Sequence, residues 1–199
     1  MTTQLGDIVR HLQAAAARQT TILVGVDGLG GAGKTVLAAA VAGNLRSAGQ
    51  PVALVHFDDF FLPSSERPSG PPESKPIGGD FDWCRLRDEV LVSLRANQAA
   101  RYRKYDWTLD ALAETHEIPP VGTVIVEGVY CTRKELTDLY DVRVWVECPR
   151  DLRLARGIRR DGEAARDRWE LDWMPSEDLY VGEHRPIRAA HFVISGLAV

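Results

Sequence analysis

Five short apolar runs recur along the chain, and each has the length of a buried β-strand. They cover residues 21–26, 51–57, 122–126, 142–146 and 191–194. A segment with a helical pattern, 4–18, precedes the first run. Further helical segments follow between the runs, at 83–97, 133–139, 149–165 and 166–184, the last interrupted near Pro175. Strands that alternate with helices predict a parallel sheet with helices on both faces. We therefore expect an α/β fold of three layers, α/β/α, around a five-stranded parallel sheet.

Two stretches interrupt this alternation between the second and third strands. Residues 62–80 are rich in proline, glycine and serine, a composition that forms neither helix nor sheet. Residues 102–118 are polar and aromatic, and we interpret them as a hairpin or an irregular excursion. A long loop inside a compact domain usually has a function. We therefore treat residues 62–118 as an insertion on the substrate side.

Length and composition indicate one domain, spanning residues 1–199. A chain of 199 residues, 45% of them hydrophobic, can bury one sizeable core. The net charge of −4 and the lack of a basic block argue against a nucleic-acid partner. No apolar run is long enough to span a membrane, so we expect a soluble protein without a membrane partner. The three cysteines form no C-x-x-C pattern, which is typical of reduced thiols in the cytoplasm.

The first apolar run leads directly into a glycine-rich segment, Gly28–Thr35, that fits G-x-x-x-x-G-K-[ST] at every fixed position. A strand, a glycine-rich turn and a helix in this order direct backbone N–H groups at a bound phosphate. We expect Lys34 to reach the β- and γ-phosphates of a nucleotide and the Thr35 hydroxyl to bind Mg²⁺. A turn that binds nothing is the alternative, which the flanking strand and helix disfavour. The backbone of the cofactor site also includes Gly28, Gly30, Gly31, Ala32 and Gly33.

Two carboxylates, Asp58 and Asp59, follow the second apolar run. In open α/β sheets, ligands bind at the carboxyl ends of the strands. The same edge carries the glycine-rich segment Gly28–Thr35, which is called the P-loop below. Phosphoryl transfer requires a group that orients or deprotonates the nucleophile, and we assign that base to Asp58. For either aspartate the alternative is a turn-capping role, which is the stronger interpretation for Asp59.

Glu127 ends the strongly apolar strand at 122–126. A carboxylate next to the core is costly unless it meets a cation or a water that bridges to one. We therefore expect Glu127 at the magnesium site. The alternative is an ordinary residue at the end of a strand.

Four segments then carry a family resemblance when they are taken in order: Gly28–Thr35, His56–Phe61, Val126–Gly128 and Arg153–Asp161. In this order they resemble the uridine kinase-like branch of the P-loop kinases. That branch includes uridine-cytidine kinases, nicotinamide riboside kinases, phosphoribulokinase and bacterial pantothenate kinase. The resemblance runs from about residue 20 to 196. It implies a P-loop NTPase fold with a helical lid at about 149–165.

The resemblance also implies roles for individual residues. The first aspartate of the second segment is the catalytic base of the branch and lies close to magnesium, which implies both roles for Asp58. The glutamate of the third segment implies a magnesium role for Glu127. The arginine-rich helix is the lid over the ATP phosphates, which implies Arg156 and Arg160 as catalytic lid residues.

On the substrate side the resemblance is weaker. Phe81-Asp82 resembles the aromatic–aspartate pair that binds sugar hydroxyls in nucleoside and nicotinamide riboside kinases. A helix N-cap is the alternative role of Asp82. Tyr105 begins a segment similar to the Y-D-F segment of uridine kinases. The histidine that reads the pyrimidine in that subgroup has no counterpart here, since Asp110 stands near its position, so the resemblance does not extend to the base.

Together these residues predict a kinase that uses ATP and Mg²⁺ to phosphorylate a small nucleoside-like or sugar-like alcohol. Asp58 accepts the proton of the acceptor hydroxyl, while Lys34, Arg156 and Arg160 balance charge on the transferred phosphoryl group. A GTPase-like switch and a nucleotide-binding scaffold without catalysis are the alternatives. No N-K-x-D motif is present, and Glu127-Gly128 rather than D-x-x-G follows the third strand, which disfavours the switch. The complete catalytic set disfavours the scaffold. The sequence leaves open which alcohol is the acceptor and whether ATP is preferred to GTP. It also leaves open whether the protein is a monomer or a homo-oligomer.

Overall fold

Within residues 2–198, which the computed structural model describes, seven β-strands form two sheets. The strands are β1 (Thr21–Gly28), β2 (Val52–His56), β3 (Ala100–Asp106), β4 (Ala111–Ile118), β5 (Gly122–Glu127), β6 (Val142–Glu147) and β7 (Phe192–Ser195). Five of them form a parallel sheet in the order β2-β5-β1-β6-β7. Strands β3 and β4 form an antiparallel hairpin. The predicted five-stranded parallel sheet is confirmed.

Strand β1 lies at the centre of the sheet, between β5 and β6. Every residue of β1 after Thr21 is buried, as a strand with neighbours on both edges and helices on both faces requires. Val26 pairs with Glu127 on one side and with Val144 on the other. Because the strands are parallel, β1, β2 and β5 end at the same edge of the sheet. The P-loop, the turn that contains Asp58, and Glu127 therefore lie at the same edge of the sheet.

Helices cover both faces of the sheet and complete the three layers. On one face, the helices Thr2–Ala16 and Lys34–Ser47 bury Ile8, Leu12, Leu37, Val41 and Leu45 against it. On the other face, the helical segment 83–95 buries Leu86, Val90, Leu91 and Leu94. Each such side chain contributes about 1.5–3 kcal/mol through its burial. In the part of the chain that the structure describes, no helix combines the length and the apolar character needed to cross a membrane.

The predicted helices are present with three local differences. The helix expected at 149–165 ends at Asp161, and a 3₁₀ turn, Glu163–Ala165, follows it. The segment 166–184 stays helical past Pro175, because Pro175 lies in the first turn of the α-helix Met174–His184, where its missing N–H is tolerated. A π-helical stretch, Trp169–Trp173, precedes that helix. The stretch 133–139 is not the expected helix: it forms turns and a single 3₁₀ turn. There the Thr137 hydroxyl donates to the carbonyls of Thr132 and Arg133, which competes with helical hydrogen bonding.

The insertion folds as a proline-rich loop that is fastened to the β3–β4 hairpin by Asp110. Its carboxylate accepts hydrogen bonds from the backbone N–H and hydroxyl of Ser64 and, at 2.6 Å, from the Tyr105 hydroxyl. Arg67 adds an ion pair. The bonds from Ser64, followed by that from Tyr105, lower the pKa of Asp110 to about 2. The hairpin interpretation of residues 102–118 is confirmed, and Asp110 links the hairpin to the loop.

Gly157, in the helix Arg150–Asp161, allows that helix to pack against a buried tryptophan. A Cβ at Gly157 would lie 2.4 Å from the ring atoms Cε2 and Cζ2 of Trp169. We expect Gly157→Ala to lower the free energy of unfolding by about 1–3 kcal/mol, as overpacked core sites do. Gly182 is the matched control, since nothing lies within 4 Å of its Cβ position. Gly182→Ala is expected to stabilise the helix by about 0.5–1 kcal/mol. Urea unfolding measures both variants, and equal stabilities would contradict this packing.

Candidate active site

The P-loop, Gly28–Thr35, connects β1 to the helix Lys34–Ser47. Gly33 has φ +100°, and a Cβ at Gly31, where φ is +75°, would lie 2.5 Å from the carbonyl oxygen of Arg153. Both positions therefore require glycine. Lys34 is buried, and its Nζ donates to the Leu29 carbonyl at 3.0 Å. An ammonium beside the N-terminus of a helix makes this loop suited to a phosphate group.

Glu127 joins the P-loop helix to strand β2. Its Oε1 accepts a hydrogen bond from Thr35 Oγ1 at 3.1 Å and lies 2.6 Å from His56 Nδ1. The bond to Glu127 is the main reason that the pKa of His56 is raised. Between residues 2 and 198, no group of three or more His, Cys, Asp or Glu side chains could hold a metal ion. The pair of Thr35 and Glu127 still suits Mg²⁺, which binds few protein oxygens and keeps several waters.

Asp58 lies in the 3₁₀ turn Phe57–Phe60 that follows β2, and part of the residue reaches solvent. The pKa of Asp58 is raised, chiefly because the surrounding protein limits its solvation and then because Glu127 is near. The positive charges of Lys34 and Arg160 act in the opposite direction. The carboxylate therefore lies within electrostatic range of the P-loop lysine, the Glu127 carboxylate and a lid arginine. A raised pKa makes it a better proton acceptor.

Asp59 points the other way. It is buried, its Oδ2 accepts a hydrogen bond from the Tyr102 hydroxyl at 3.0 Å, and its Oδ1 lies 3.6 Å from Lys104 Nζ. Both partners belong to β3, so Asp59 holds the hairpin against the turn after β2. The two neighbouring aspartates thus have different surroundings, one beside the P-loop and one inside the substrate-side insertion.

The helix Arg150–Asp161 brings two arginines to this edge. Arg156 Nη1 lies 3.3 Å from the Gly31 carbonyl oxygen, on the P-loop itself. Arg160 forms an ion pair with Asp161 through Nε at 2.7 Å, and its charge also acts on Asp58. The two predicted lid residues therefore lie at the phosphate-binding loop and near the candidate base.

Glu177, which forms an ion pair with a third arginine of this helix, is a residue that sequence reasoning missed. Arg153 Nη1 donates to Glu177 Oε2 at 2.7 Å, and both side chains are buried. The other oxygen of Glu177 accepts from the Gly30 N–H, also at 2.7 Å. Burial raises the pKa of Glu177, while the hydrogen bond from Gly30 and the charge of Lys34 oppose that rise. Glu177 is 147 positions away from Gly30, and no local motif marks it.

Asp27 is a second residue that sequence reasoning missed. It is fully buried in β1 and accepts hydrogen bonds from the Thr132 N–H at 2.9 Å, the Thr132 hydroxyl at 2.7 Å and the Tyr180 hydroxyl at 2.6 Å. Burial raises the pKa of Asp27. The signal was a carboxylate inside an apolar strand, which requires partners. Asp27 ties the segment after β5 and the helix Met174–His184 to the start of the P-loop.

The predicted substrate residues surround an aromatic cluster next to Asp58. Phe81 stacks on Phe57 with 4.9 Å between ring centroids, and it packs edge-on against Phe61 at 5.0 Å. The ring centroids of Tyr105 and Phe61 lie 5.5 Å apart, and the Tyr105 hydroxyl donates a hydrogen bond to Asp110. Asp82 accepts a hydrogen bond from the Arg85 N–H at 3.0 Å, so the N-cap alternative is present in the structure. Asp82 also lines a cavity of about 310 Å³ between the proline-rich loop and the hairpin.

The chain is similar to known kinases. Residues 75–169 match the model of the phosphoribulokinase / uridine kinase family. A uridine kinase of Staphylococcus haemolyticus is 32% identical over 147 residues, which are 71% of this chain and 69% of that protein. A uridine kinase of Limosilactobacillus reuteri is 29% identical over 145 residues, 70% of this chain. The match spans only 65% of the length of that relative.

Two solved structures share the fold. A structure from Bacillus stearothermophilus, described as a possible uridine kinase, has a TM-score of 0.77 and 22% identity, with 97% of this chain and 98% of that chain covered. The D-glycerate 3-kinase from Cryptococcus neoformans has a TM-score of 0.60 and 15% identity, with 93% and 87% covered. At these identities the likeness concerns the fold, a three-layer α/β/α P-loop architecture.

Proposed function

Since the chain belongs to the phosphoribulokinase / uridine kinase family, we propose that it transfers the γ-phosphoryl group of ATP to a hydroxyl of a small nucleoside-like or sugar-like alcohol. The observation that carries this proposal is the placement of Asp58. Its carboxylate follows β2 at the sheet edge that carries the P-loop, within electrostatic range of Lys34 and Arg160, which are the charges that phosphoryl transfer requires around the acceptor.

ATP binds with its phosphates on the P-loop, Gly28–Thr35. The backbone N–H groups at the start of the helix Lys34–Ser47 and the ammonium of Lys34 offset the charge of the β- and γ-phosphates. Arg156 and Arg160 add positive charge from the lid side. Because the helix that carries them covers the loop, it also excludes water, and this protects ATP from hydrolysis.

Thr35 and Glu127 are the residues that would hold Mg²⁺, and Asp58 would contribute through water. Their donor set is a hydroxyl and carboxylate oxygens, which fits this ion. When bound, Mg²⁺ neutralises negative charge on the β- and γ-phosphates. His56, which contacts Glu127 in the structure, fixes the carboxylate from the β2 side.

Asp58 orients the acceptor hydroxyl and takes its proton as the new O–P bond forms and the bond between the γ-phosphorus and the β,γ-bridging oxygen breaks, which releases ADP. The raised pKa of Asp58 favours this role, because proton transfer to a carboxylate is more favourable when its pKa is higher. Phe81, Asp82 and Tyr105 form the acceptor side, within the insertion at 62–118.

The free thiols of Cys84, Cys131 and Cys148 support a cytoplasmic location.

A screen for ADP formation tests the proposal. The purified chain is incubated with ATP, Mg²⁺ and a panel of nucleosides, ribosides, pantothenate and sugar phosphates, and ADP is measured against a reaction without acceptor. We expect acceptor-dependent ADP release for at least one alcohol in the panel. Nucleotide binding without ADP release for any acceptor would instead support a nucleotide-binding scaffold.

We expect ligands to protect the proline-rich loop, 62–80, and the lid, 149–165, from proteases. The loop is attached to the helix after the lid by an ion pair between Lys75 Nζ and Asp172, at 2.5 Å, and closure over substrates strengthens such attachments. Limited proteolysis with and without an ATP analogue and the acceptor measures the effect. Equal cleavage rates at both segments in the two conditions would argue against a lid.

A further inference from the structure

One peptide unit of the P-loop is held from both sides. The N–H of the Leu29–Gly30 peptide donates to Glu177 Oε1 at 2.7 Å. The carbonyl of the same peptide accepts from Lys34 Nζ at 3.0 Å and from the Ala32 N–H at 3.1 Å. A peptide unit is planar, so its N–H and carbonyl cannot turn independently. Whatever orients the Gly30 N–H therefore also orients the oxygen that holds the Lys34 ammonium.

Glu177 is itself tightly fixed. Its second oxygen, Oε2, accepts from Arg153 Nη1 at 2.7 Å, and the side chains of Glu177 and Arg153 are only 5% and 4% exposed. The ring of Trp169 closes the same space, since a Cβ at Gly30 would lie 2.8 Å from both Glu177 Oε1 and Trp169 Cη2. A carboxylate in such surroundings cannot move without leaving the Gly30 N–H unpaired.

We propose that Glu177 is a positioning residue for nucleotide binding, which acts on Lys34 through the Leu29–Gly30 peptide. This inference rests on the proposed function of the P-loop as a nucleotide site. Glu177 does not touch the nucleotide: it presets the conformation of the loop, so that Lys34 is in place before the phosphates arrive. A preset site spends less binding free energy on ordering the loop.

The competing interpretation is that Glu177 only neutralises the buried charge of Arg153. The two roles are separable because they use different oxygens of the carboxylate. A buried ion pair can often be replaced by apolar residues of similar size without loss of stability. Replacing both Arg153 and Glu177 with uncharged residues therefore removes the ion pair. The residue chosen at position 177 then decides whether the Gly30 N–H keeps an acceptor.

The experiment compares two double variants that share Arg153→Met. In the first, Glu177→Gln keeps an oxygen that can accept from the Gly30 N–H. In the second, Glu177→Met removes it. ADP is the probe, with Mg²⁺, and its dissociation constant is measured by calorimetry after circular dichroism has shown that each variant is folded. We expect the Gln variant to bind within about threefold of the parent chain and the Met variant about tenfold more weakly, the effect of leaving one buried N–H without a hydrogen-bond acceptor.

Equal affinities for the two double variants would overturn the proposal, because both lack the ion pair and differ only at the acceptor. Should the Met variant fail to fold, Glu177→Leu with Arg153→Met takes its place, because leucine also removes the acceptor. A tenfold weaker affinity than that of the Gln variant supports positioning, and an equal affinity overturns it. Glu183→Gln, at an exposed site of the same helix, is the control and is expected to bind ADP like the parent. A parent chain that binds ADP but phosphorylates no acceptor would refute the proposed function alone.

Discussion

Asp58→Asn is expected to lower turnover by about 10²- to 10⁴-fold, the usual effect of losing a general base. The amide keeps the size of the side chain and much of its hydrogen bonding, but it cannot accept a proton. The neighbours Lys34 and Arg160 remain in place, so ADP affinity without Mg²⁺ is expected to change only a few fold. Steady-state kinetics with the acceptor found in the screen, together with ADP titrations, measure both quantities.

Asp59→Asn is the matched control. Asp59 is buried and bonded to Tyr102 of the hairpin, so its replacement is expected to reduce stability more than turnover. Comparing nucleotide affinity with and without Mg²⁺ in Asp58→Asn separates a metal role from a base role. If Asp59→Asn were inactive and Asp58→Asn fully active, the assignment of the base would be wrong. If both were active, the reaction would need no carboxylate base, and the kinase proposal would lose its main chemical support.

Lys34→Ala is expected to reduce kcat/KM by more than about a hundredfold, which corresponds to about 3 kcal/mol of transition-state stabilisation. The ammonium is the only charged side chain of the P-loop itself, and alanine leaves that loop with only its backbone N–H groups to bind the phosphates. The fold should persist, because alanine is a good helix residue at the start of Lys34–Ser47.

Lys134→Ala is the control for Lys34→Ala, since it removes the same charge from an exposed ion pair with Glu183. Exposed pairs contribute little, and we expect parent-like kinetics from this variant. Activity of Lys34→Ala within about threefold of the parent would refute the P-loop role. Initial-rate measurements over a range of ATP concentrations show whether the loss falls on kcat or on KM.

The sequence alone predicted the central sheet and the residues at its carboxyl edge. Strands β1 and β5 are long apolar runs, and the pattern around Gly28–Thr35 has fixed spacing, so both could be identified without tertiary information. The positions of Asp58 and Glu127 followed because parallel strands end at a common edge. Their roles in catalysis and metal binding stay predictions.

The contacts that sequence reasoning missed all join distant parts of the chain. The partners of Glu177 are Gly30 and Arg153, and those of Asp27 include Thr132 and Tyr180. Periodicity reports which face of an element is buried, but it does not say which polar groups meet inside the core. The helix expected at 133–139 was wrong for a related reason: there the Arg133 carbonyl accepts from the N–H groups of Leu136 and Thr137 and also from the Thr137 hydroxyl, a side-chain bond that the pattern does not encode.

The strand order has a consequence for how the chain is synthesised. Strands β1 and β2 are made first, but they are not neighbours in the sheet: β5 lies between them and pairs with both. No native contact between strands of the central sheet can therefore form until the whole substrate-side insertion has left the ribosome. Such non-local pairing slows folding, and the apolar β1 stays exposed to other nascent chains meanwhile. A chain terminated before β5 would carry the complete P-loop and still aggregate.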